Sequence, residues 1–411
     1  MGNFSIALSG LEADSTTLNT IGNNLANLNT TAYKGQTTSF EDLFYQQIGQ
    51  SGSGDGIQVG AGTKVSGTNT NFAEGTLLPD ASPNPTDMAL DGNGFFIVEQ
   101  NGVQSLTRAG NFTVSSNGNL TTQDGQLVMG YPAVNGVVNQ NGSLQPITIP
   151  VGSTEGAQAT QNISTTVNLN SGATVGTNFT TPVTIYDSLG QSHNATVTYS
   201  KTGTNAWSYS IALPPGDASA TTGPTSGTLT FDANGKLTNP TGSVSGISFT
   251  GMADGASNLT FNWNMNDGSG NPTISQLASA STNGTQNIDG FPSGTYSSIS
   301  VDSSGIIKAE FSNGNKTTIG QLAVANVSNL QGLVAVGGNN FQTSAASGPA
   351  TAGIAGTGGR GAVDDNTLEQ SNVNISTEFS NLIVAQRAFE ANSKTVTTFD
   401  TVTQDTLSMI R

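Results

Sequence analysis

Apolar residues recur at Phe4, Leu11, Leu18 and Leu25, seven positions apart, with a second row at Ala7, Ile21 and Leu28 offset by three. This is the a/d pattern of a helix made to pack lengthwise against another helix. Asp14 is the one polar break in the second row. The last stretch repeats the arrangement: Ile375, Leu382, Phe389, Val396 and Ile410 form one row, and Phe379, Phe399 and Leu407 fill the other side of the stripe. Each stripe needs a partner, and the other end of the same chain supplies one. The pattern predicts helices within 1–30 and 372–411 that pair as a coiled-coil-like domain from which the middle is hung.

Neither end is built to hold a helix alone. The first carries Gly10 and Gly22 with Thr16, Thr17 and Thr20, and the last carries Thr395, Thr397, Thr398, Thr401, Thr403 and Thr406. Glycine and β-branched residues are poor helix formers in isolation. Ordering the backbone costs about 1–2 kcal/mol per residue, while burying one large apolar side chain returns about 1.5–3 kcal/mol. Even paired, two such helices are marginal, so the expectation is ends that order when several copies of the chain assemble. Arg387 is the one basic residue of the stripe flanked by apolar neighbours. It reads equally as an exposed helix residue or as a fork to a carboxylate on a packed neighbour.

Between the ends the period changes to two. Asp91-Gly-Asn-Gly94 leads into Phe95-Phe-Ile-Val98, and a strand–turn–strand unit recurs at 112–120, 229–237 and 299–307 with a glycine in each turn. Such turns supply the positive φ that tight hairpins need. The reading is a mainly β chain, antiparallel in the middle. Phe40, Leu43, Phe44 and Ile48 suggest a second short helix, and the Gly/Ser/Thr-rich run from Gln50 to Thr70 a flexible linker or long hairpin, within a connecting segment at 31–76. The hairpin pattern left at Pro150 returns near Ile288. That return predicts nested β-domains: an inner one from 77–150 and 285–362, and an inserted outer one from 151–284.

Chemistry is sparse. The chain has no cysteine, so thiolate metal sites and disulfides are excluded. Its net charge of −16 argues against nucleic acid and against an electrostatic grip on anionic lipid. No run of about 20 apolar residues could span a bilayer, and no cleavable signal pattern opens the chain. His193 is the single histidine. Without cysteine or a second histidine it cannot make the usual zinc sites, and a turn or strand-edge role is expected. Asp91-Gly-Asn-Gly94 and Gly54-Asp-Gly56 lack the ligand spacing of calcium loops and read as tight turns. No catalytic residue, cofactor or metal ligand is assigned.

Three motifs converge on one family. Leu8-Ser-Gly-Leu11, Asn23-Asn-Leu-Ala-Asn27 and Thr31-Ala-Tyr-Lys34 resemble the N-terminal signature of bacterial flagellar rod and hook proteins. Leu368-Glu-Gln-Ser-Asn-Val373, Gln386-Arg-Ala-Phe389 and Ala391-Asn-Ser-Lys394 resemble its C-terminal counterpart, and Asp91–Val98 with Thr107–Phe112 resemble its shared β-domain. Ala32 stands where many relatives have glycine. Val183–Gly190 with His193 resembles an insert found in the hook branch and absent from the rod branch, whereas Phe40–Tyr45 resembles the distal rod branch.

The resemblance implies a structural subunit, not an enzyme. It implies a curved tubular homopolymer with terminal helices inside and β-domains outside, acting as a universal joint between motor and filament. Implied partners are further copies of the chain, rod, hook-cap and hook–filament junction proteins, and the flagellar type III export apparatus. The implied location is the extracellular flagellum. The interface residues expected on the helices are Phe4, Leu11, Leu18, Ile21, Leu25, Leu28, Ile375, Phe379, Leu382, Arg387, Phe389, Val396, Phe399 and Leu407. The alternatives are a distal rod protein, a secreted β-rich adhesin or carbohydrate-binding protein, which leaves the paired ends unexplained, and a glycoside-acting enzyme, which needs two facing carboxylates.

Overall fold

The computed structural model describes residues 2–50, 56–79 and 84–409. The chain forms two compact units: residues 1–150, 298–309 and 317–411 make one, and 151–297 with 310–316 make the other.

The first unit begins with helix α1 (Gly2–Ala26) and ends with helix α2 (Ile375–Met409). Leu28 therefore lies in the turn after α1, one step beyond the helix expected for it. The N-terminus of α2 is capped as its sequence implies: Asn374 Oδ1 accepts from Ser376 N at 3.0 Å and Thr377 N at 3.1 Å, with Glu378 in the first turn. The threonines that weaken both helices satisfy themselves locally. Thr17, Thr20, Thr398 and Thr401, for example, donate to the carbonyl four residues back.

The chain after α1 is not helical. Gln36–Asp42 pairs antiparallel with Thr63–Thr70, and Gln46–Gln50 with Gly56–Val59. This is a long hairpin whose tip lies outside the described residues. Phe40, Leu43 and Phe44 have helical spacing, but Thr37, Thr38 and Phe40 favour a pleated backbone and the Thr63–Thr70 strand offers them a ladder. Tertiary pairing overrides the local period here.

Beyond the hairpin, both halves of the chain run side by side into a β-domain. Leu77–Pro79 pairs with Thr367–Glu369, and Met88–Asp91 with Ala362–Asp365, both antiparallel. Phe95–Gln100 is the central strand, bonded to Val103–Thr107, Leu127–Val134 and Val324–Asn326. Phe95, Ile97, Leu106, Met129 and Phe341 fill the core on one face.

The second unit is a sandwich of two sheets. One is a five-stranded meander: Asn178–Tyr186, Ser192–Gly203, Ala206–Ala212, Ser226–Phe231 and Leu237–Asn239. The other runs Ala218–Thr222, Val244–Met252, Leu259–Asn264, Asn162–Asn170 and Ile274–Leu277, with Thr282–Ile288 also paired to Asn162–Asn170. Alternate residues point inward, and Tyr199, Tyr209 and Trp207 of the first sheet meet Phe249, Phe261 and Trp263 of the second. The Tyr209 and Trp263 rings sit edge to face at 5.2 Å. One expectation fails: Asn162–Asn170 is parallel to both Leu259–Asn264 and Ile274–Leu277. The chain reaches those strands by crossing over, which local hairpin signals cannot report.

The recurring hairpin unit is a single turn geometry. In each of Ser115–Asn119, Asp232–Lys236 and Asp302–Ile306, the fourth residue is a glycine with φ of 80°, 78° and 77°, and its N–H donates to the carbonyl of the first. The side-chain oxygen of the first residue accepts from the N–H of the fifth. Thr122–Gln126, Asp187–Gln191 and Asp267–Asn271 repeat this geometry. This is a type I turn closed by a left-handed glycine. A side chain at Gly270 meets open space, whereas a Cβ at Gly235 overlaps the carbonyl of Gln276. Gly270→Ala should therefore cost only about 1 kcal/mol of backbone strain, and Gly235→Ala clearly more. Urea unfolding checks the order; equal losses would mean φ alone matters.

Candidate assembly interface

The two helices pack antiparallel, and polar pairs fix their register. Asn392 Nδ2 donates to Asp14 Oδ2 at 2.9 Å, and Asn24 Nδ2 to Glu378 Oε1 at 3.3 Å. A Cβ on Gly10 would stand 2.7 Å from Asn392 Nδ2, so the glycine makes room for close approach. Gly10 and Asp14 look like weaknesses of the heptad stripe; in the fold they are its register marks.

Ala7, Ala13, Ile21 and Ala385 are buried. Leu11, Leu18, Leu25 and Leu28 are half-buried, as are Leu382, Val396 and Phe399. The Phe4 side chain lies outside the described residues. On α2 the large apolar residues remain uncovered: Ile375 is 47% exposed, Phe379 50% and Leu407 64%, with Phe389 at 37%. Ile383 and Val384, which the heptad rows do not include, are 52% and 68% exposed. The two stripes are thus not mated row to row. Arg387 is exposed and forms no ion pair among the described residues. The 35-residue α2 is also longer than the 25-residue α1, and everything from Asp400 to Met409 is exposed.

The hairpin after α1 braces the helices. Asn24, 1% exposed, uses its amide like a strand: Oδ1 accepts from Gln36 N at 2.9 Å and Nδ2 donates to Gln36 O at 2.7 Å. Thr38 Oγ1 donates to Thr20 Oγ1 at 3.1 Å, and Ser9 Oγ accepts from Thr63 N at 3.2 Å. Between α1, α2 and this hairpin lies an open cleft of about 290 Å³, lined by Thr17, Ile21, Phe40, Val384 and Ala388 among others.

A buried ionic clasp ties the helices' exits to the β-domain of the same unit. Glu369 Oε1 accepts from Lys34 Nζ at 2.6 Å and Gly75 N at 2.8 Å, while Oε2 accepts from Arg108 Nε at 2.8 Å. Lys34 also donates to Ala73 O, and Ala32, at φ 55°, directs its N–H to Glu369 O at 2.8 Å. A non-glycine residue thus adopts a left-handed turn here. Arg108 donates to the carbonyls of Leu90, Gly92 and Gly94. The Asp91-Gly-Asn-Gly94 loop thus receives a guanidinium. Burial pushes the Glu369 carboxyl up, but Arg108, Lys34 and the Gly75 N–H outweigh it and hold it below the usual range. Burial pushes the Lys34 ammonium down against the pull of Glu369.

Comparisons with known proteins match four segments of the chain. Residues 4–34 match the family described as flagella basal body rod protein, and 89–172 the flagellar hook protein FlgE/F/G D1 domain. Residues 168–291 match the flagellar basal body protein FlaE D2 domain, and 365–409 the flagellar basal body rod FlgEFG protein C-terminal family. Over 97% of the chain and 98% of its relative, the sequence is 35% identical to the flagellar hook protein FlgE of Salmonella typhimurium. It is 33% identical to that of Escherichia coli, covering 97% and 98%, and 32% to that of Treponema pallidum, covering 98% of each. The fold resembles the crystal structure of Helicobacter pylori hook protein FlgE2, with a TM-score of 0.54 at 15% identity over 71% of this chain and all of the other.

Proposed function

Since the chain belongs to the flagellar hook protein family, we propose that it is the structural subunit of a flagellar hook, self-assembling into a curved tube that transmits torque from rod to filament. The observation that carries this reading is the uncovered apolar face of α2. Several large apolar side chains on one helix are left without cover by the α1–α2 pair, and further copies of the same helices would cover them. The helical residues named from the heptad pattern are, in this reading, the contacts between subunits, joined by Ile383 and Val384.

The nested division into a helical core, an inner β-domain and an inserted outer β-domain is kept as part of the proposal. So are the rod, hook-cap and hook–filament junction proteins as partners, export through the flagellar type III apparatus, and an extracellular position in the flagellum. The short tube between basal body and filament is where the subunit should be found. Immunogold electron microscopy with antibody to residues 151–297 should decorate that segment alone; label along the rod or on the cell surface would overturn the assignment.

A further inference from the structure

His193 sits inside the second unit, on the inward face of Ser192–Gly203, with a side chain only 7% exposed. Three carboxylates surround it. Nδ1 lies 3.0 Å from Asp217 Oδ2; Nε2 lies 2.9 Å from Asp187 Oδ2 and 3.9 Å from Asp254 Oδ2. Among the described residues, no lysine or arginine makes an ion pair with any of the three. Even a doubly protonated ring leaves two negative charges uncompensated beside a fully buried Asp187 side chain.

The supporting contacts sort the groups into ligands and braces. The Asp187–Gln191 turn commits Asp187 Oδ1 to the N–H groups of Leu189 and Gln191 at 2.8 and 3.0 Å, leaving Oδ2 to face the ring. Nδ1 faces Asp217 at 3.0 Å and Nε2 faces Asp187 at 2.9 Å, so a protonated ring donates to both, and loss of the Nε2 proton leaves a lone pair directed at Asp187 and Asp254. A divalent ion in place of the Nε2 proton would meet both carboxylates and supply the positive charge that the three acids lack. Asp187 Oδ2, His193 Nε2 and Asp254 Oδ2 lie within 4.8 Å of one another. Donors around a four-coordinate zinc are about 3.3 Å apart, so the 2.9 Å Asp187–His193 pair has to open slightly and Asp254, on an exposed turn, to move in from 3.9 Å.

We infer that Asp187, His193 and Asp254 form a structural site for a divalent transition-metal ion, with Asp217 positioning the histidine. One imidazole and two carboxylates suit zinc; magnesium and calcium favour all-oxygen shells. The ion would clamp the sandwich at one end. His193 lies in the five-stranded sheet and Asp187 in the turn that follows its Asn178–Tyr186 strand, while Asp217 and Asp254 flank Ala218–Thr222 and Val244–Met252 of the other. The expectation that a lone histidine without cysteine is a plain turn residue misses this, because only Asp187 is near in sequence, and Asp217 comes from a turn 24 residues away with Asp254 further still.

The test uses the untagged full chain, stripped with chelator and titrated with zinc alone. Since the chain has one histidine, a nitrogen-15 spectrum of its ring reads the site directly. One zinc per chain should bind, shift the Nε2 resonance, leave Nδ1 protonated, and raise the melting temperature of the second unit. Asp254→Asn, at the half-exposed edge, should weaken binding at least tenfold without unfolding the chain, and Asp217→Asn about 10–100-fold. Magnesium at the same concentration should leave the Nε2 resonance in place. Absence of stoichiometric zinc binding, an unmoved Nε2 resonance, or binding undiminished by Asp254→Asn would each overturn the site.

Discussion

Phe379→Asp or Phe389→Asp is expected to abolish polymerisation while leaving the melting temperature of the isolated chain within about 1–2 °C of the parent. Both side chains are exposed in the single chain, at 50% and 37%, so an aspartate there stays hydrated and little folding energy is lost. In the proposed assembled core the same carboxylate would be buried against the apolar faces of further copies. Leaving one charge unpaired in a packed interface costs about 3–5 kcal/mol, and a polymer meets that cost at every subunit. Glu12→Lys, exposed on α1, serves as the mild control. Light scattering of polymerising chains, with calorimetry of the monomer, separates the effects. Normal polymers from the aspartate variants, or monomers that melt early, would show that this face is not where copies meet.

What the sequence made legible was whatever repeats locally. The heptad rows located both helices, alternation located the strands of both sheets, and the turn glycines located hairpins at 112–120, 229–237 and 299–307. Three things escaped. The segment around Phe40 has apolar spacing that fits a helix, yet its partner strand, some 25 residues on, decides its conformation. The parallel pairing of Asn162–Asn170 depends on crossovers that leave no turn signal. The carboxylates around His193 and the Lys34–Glu369–Arg108 clasp join residues whose separation in sequence carries no period at all. Even Asp14, conspicuous as a break in the stripe, gains its meaning only from Asn392, 378 residues away. The helical face is a mixed case. Its apolar content was readable, but which residues the intramolecular seam would cover depended on the close approach at Gly10 and on the register that the Asp14–Asn392 and Asn24–Glu378 pairs set.

The second large effect concerns Glu369. Among the described residues it is the one carboxylate that forms an ion pair with both Lys34 and Arg108, Glu74 reaching Arg108 alone at 3.9 Å, and its side chain is fully buried. Glu369→Gln keeps the shape and removes the charge, leaving two buried cations facing a neutral amide. Breaking one partner of a buried ionic group costs about 3–5 kcal/mol. At roughly 2–4 °C per kcal/mol for a domain of this size, the first unit should melt about 10 °C lower while the second is unchanged. Adding Lys34→Met should recover part of the loss, because it removes one orphaned cation; a double-mutant cycle reads that coupling. The same clasp sets an acid limit. The carboxyl is held below its ordinary value in the folded chain, so its contribution is complete above that ordinary value and disappears as pH falls through the depressed one. The parent should therefore lose first-unit stability as pH drops below about 4.5, more steeply than Glu369→Gln, which lacks the titrating group. Parallel acid profiles, or a Glu369→Gln chain melting within about 2 °C of the parent, would mean that the Leu90, Gly92, Gly94 and Ala73 carbonyls alone suffice to hold Arg108 and Lys34 in place.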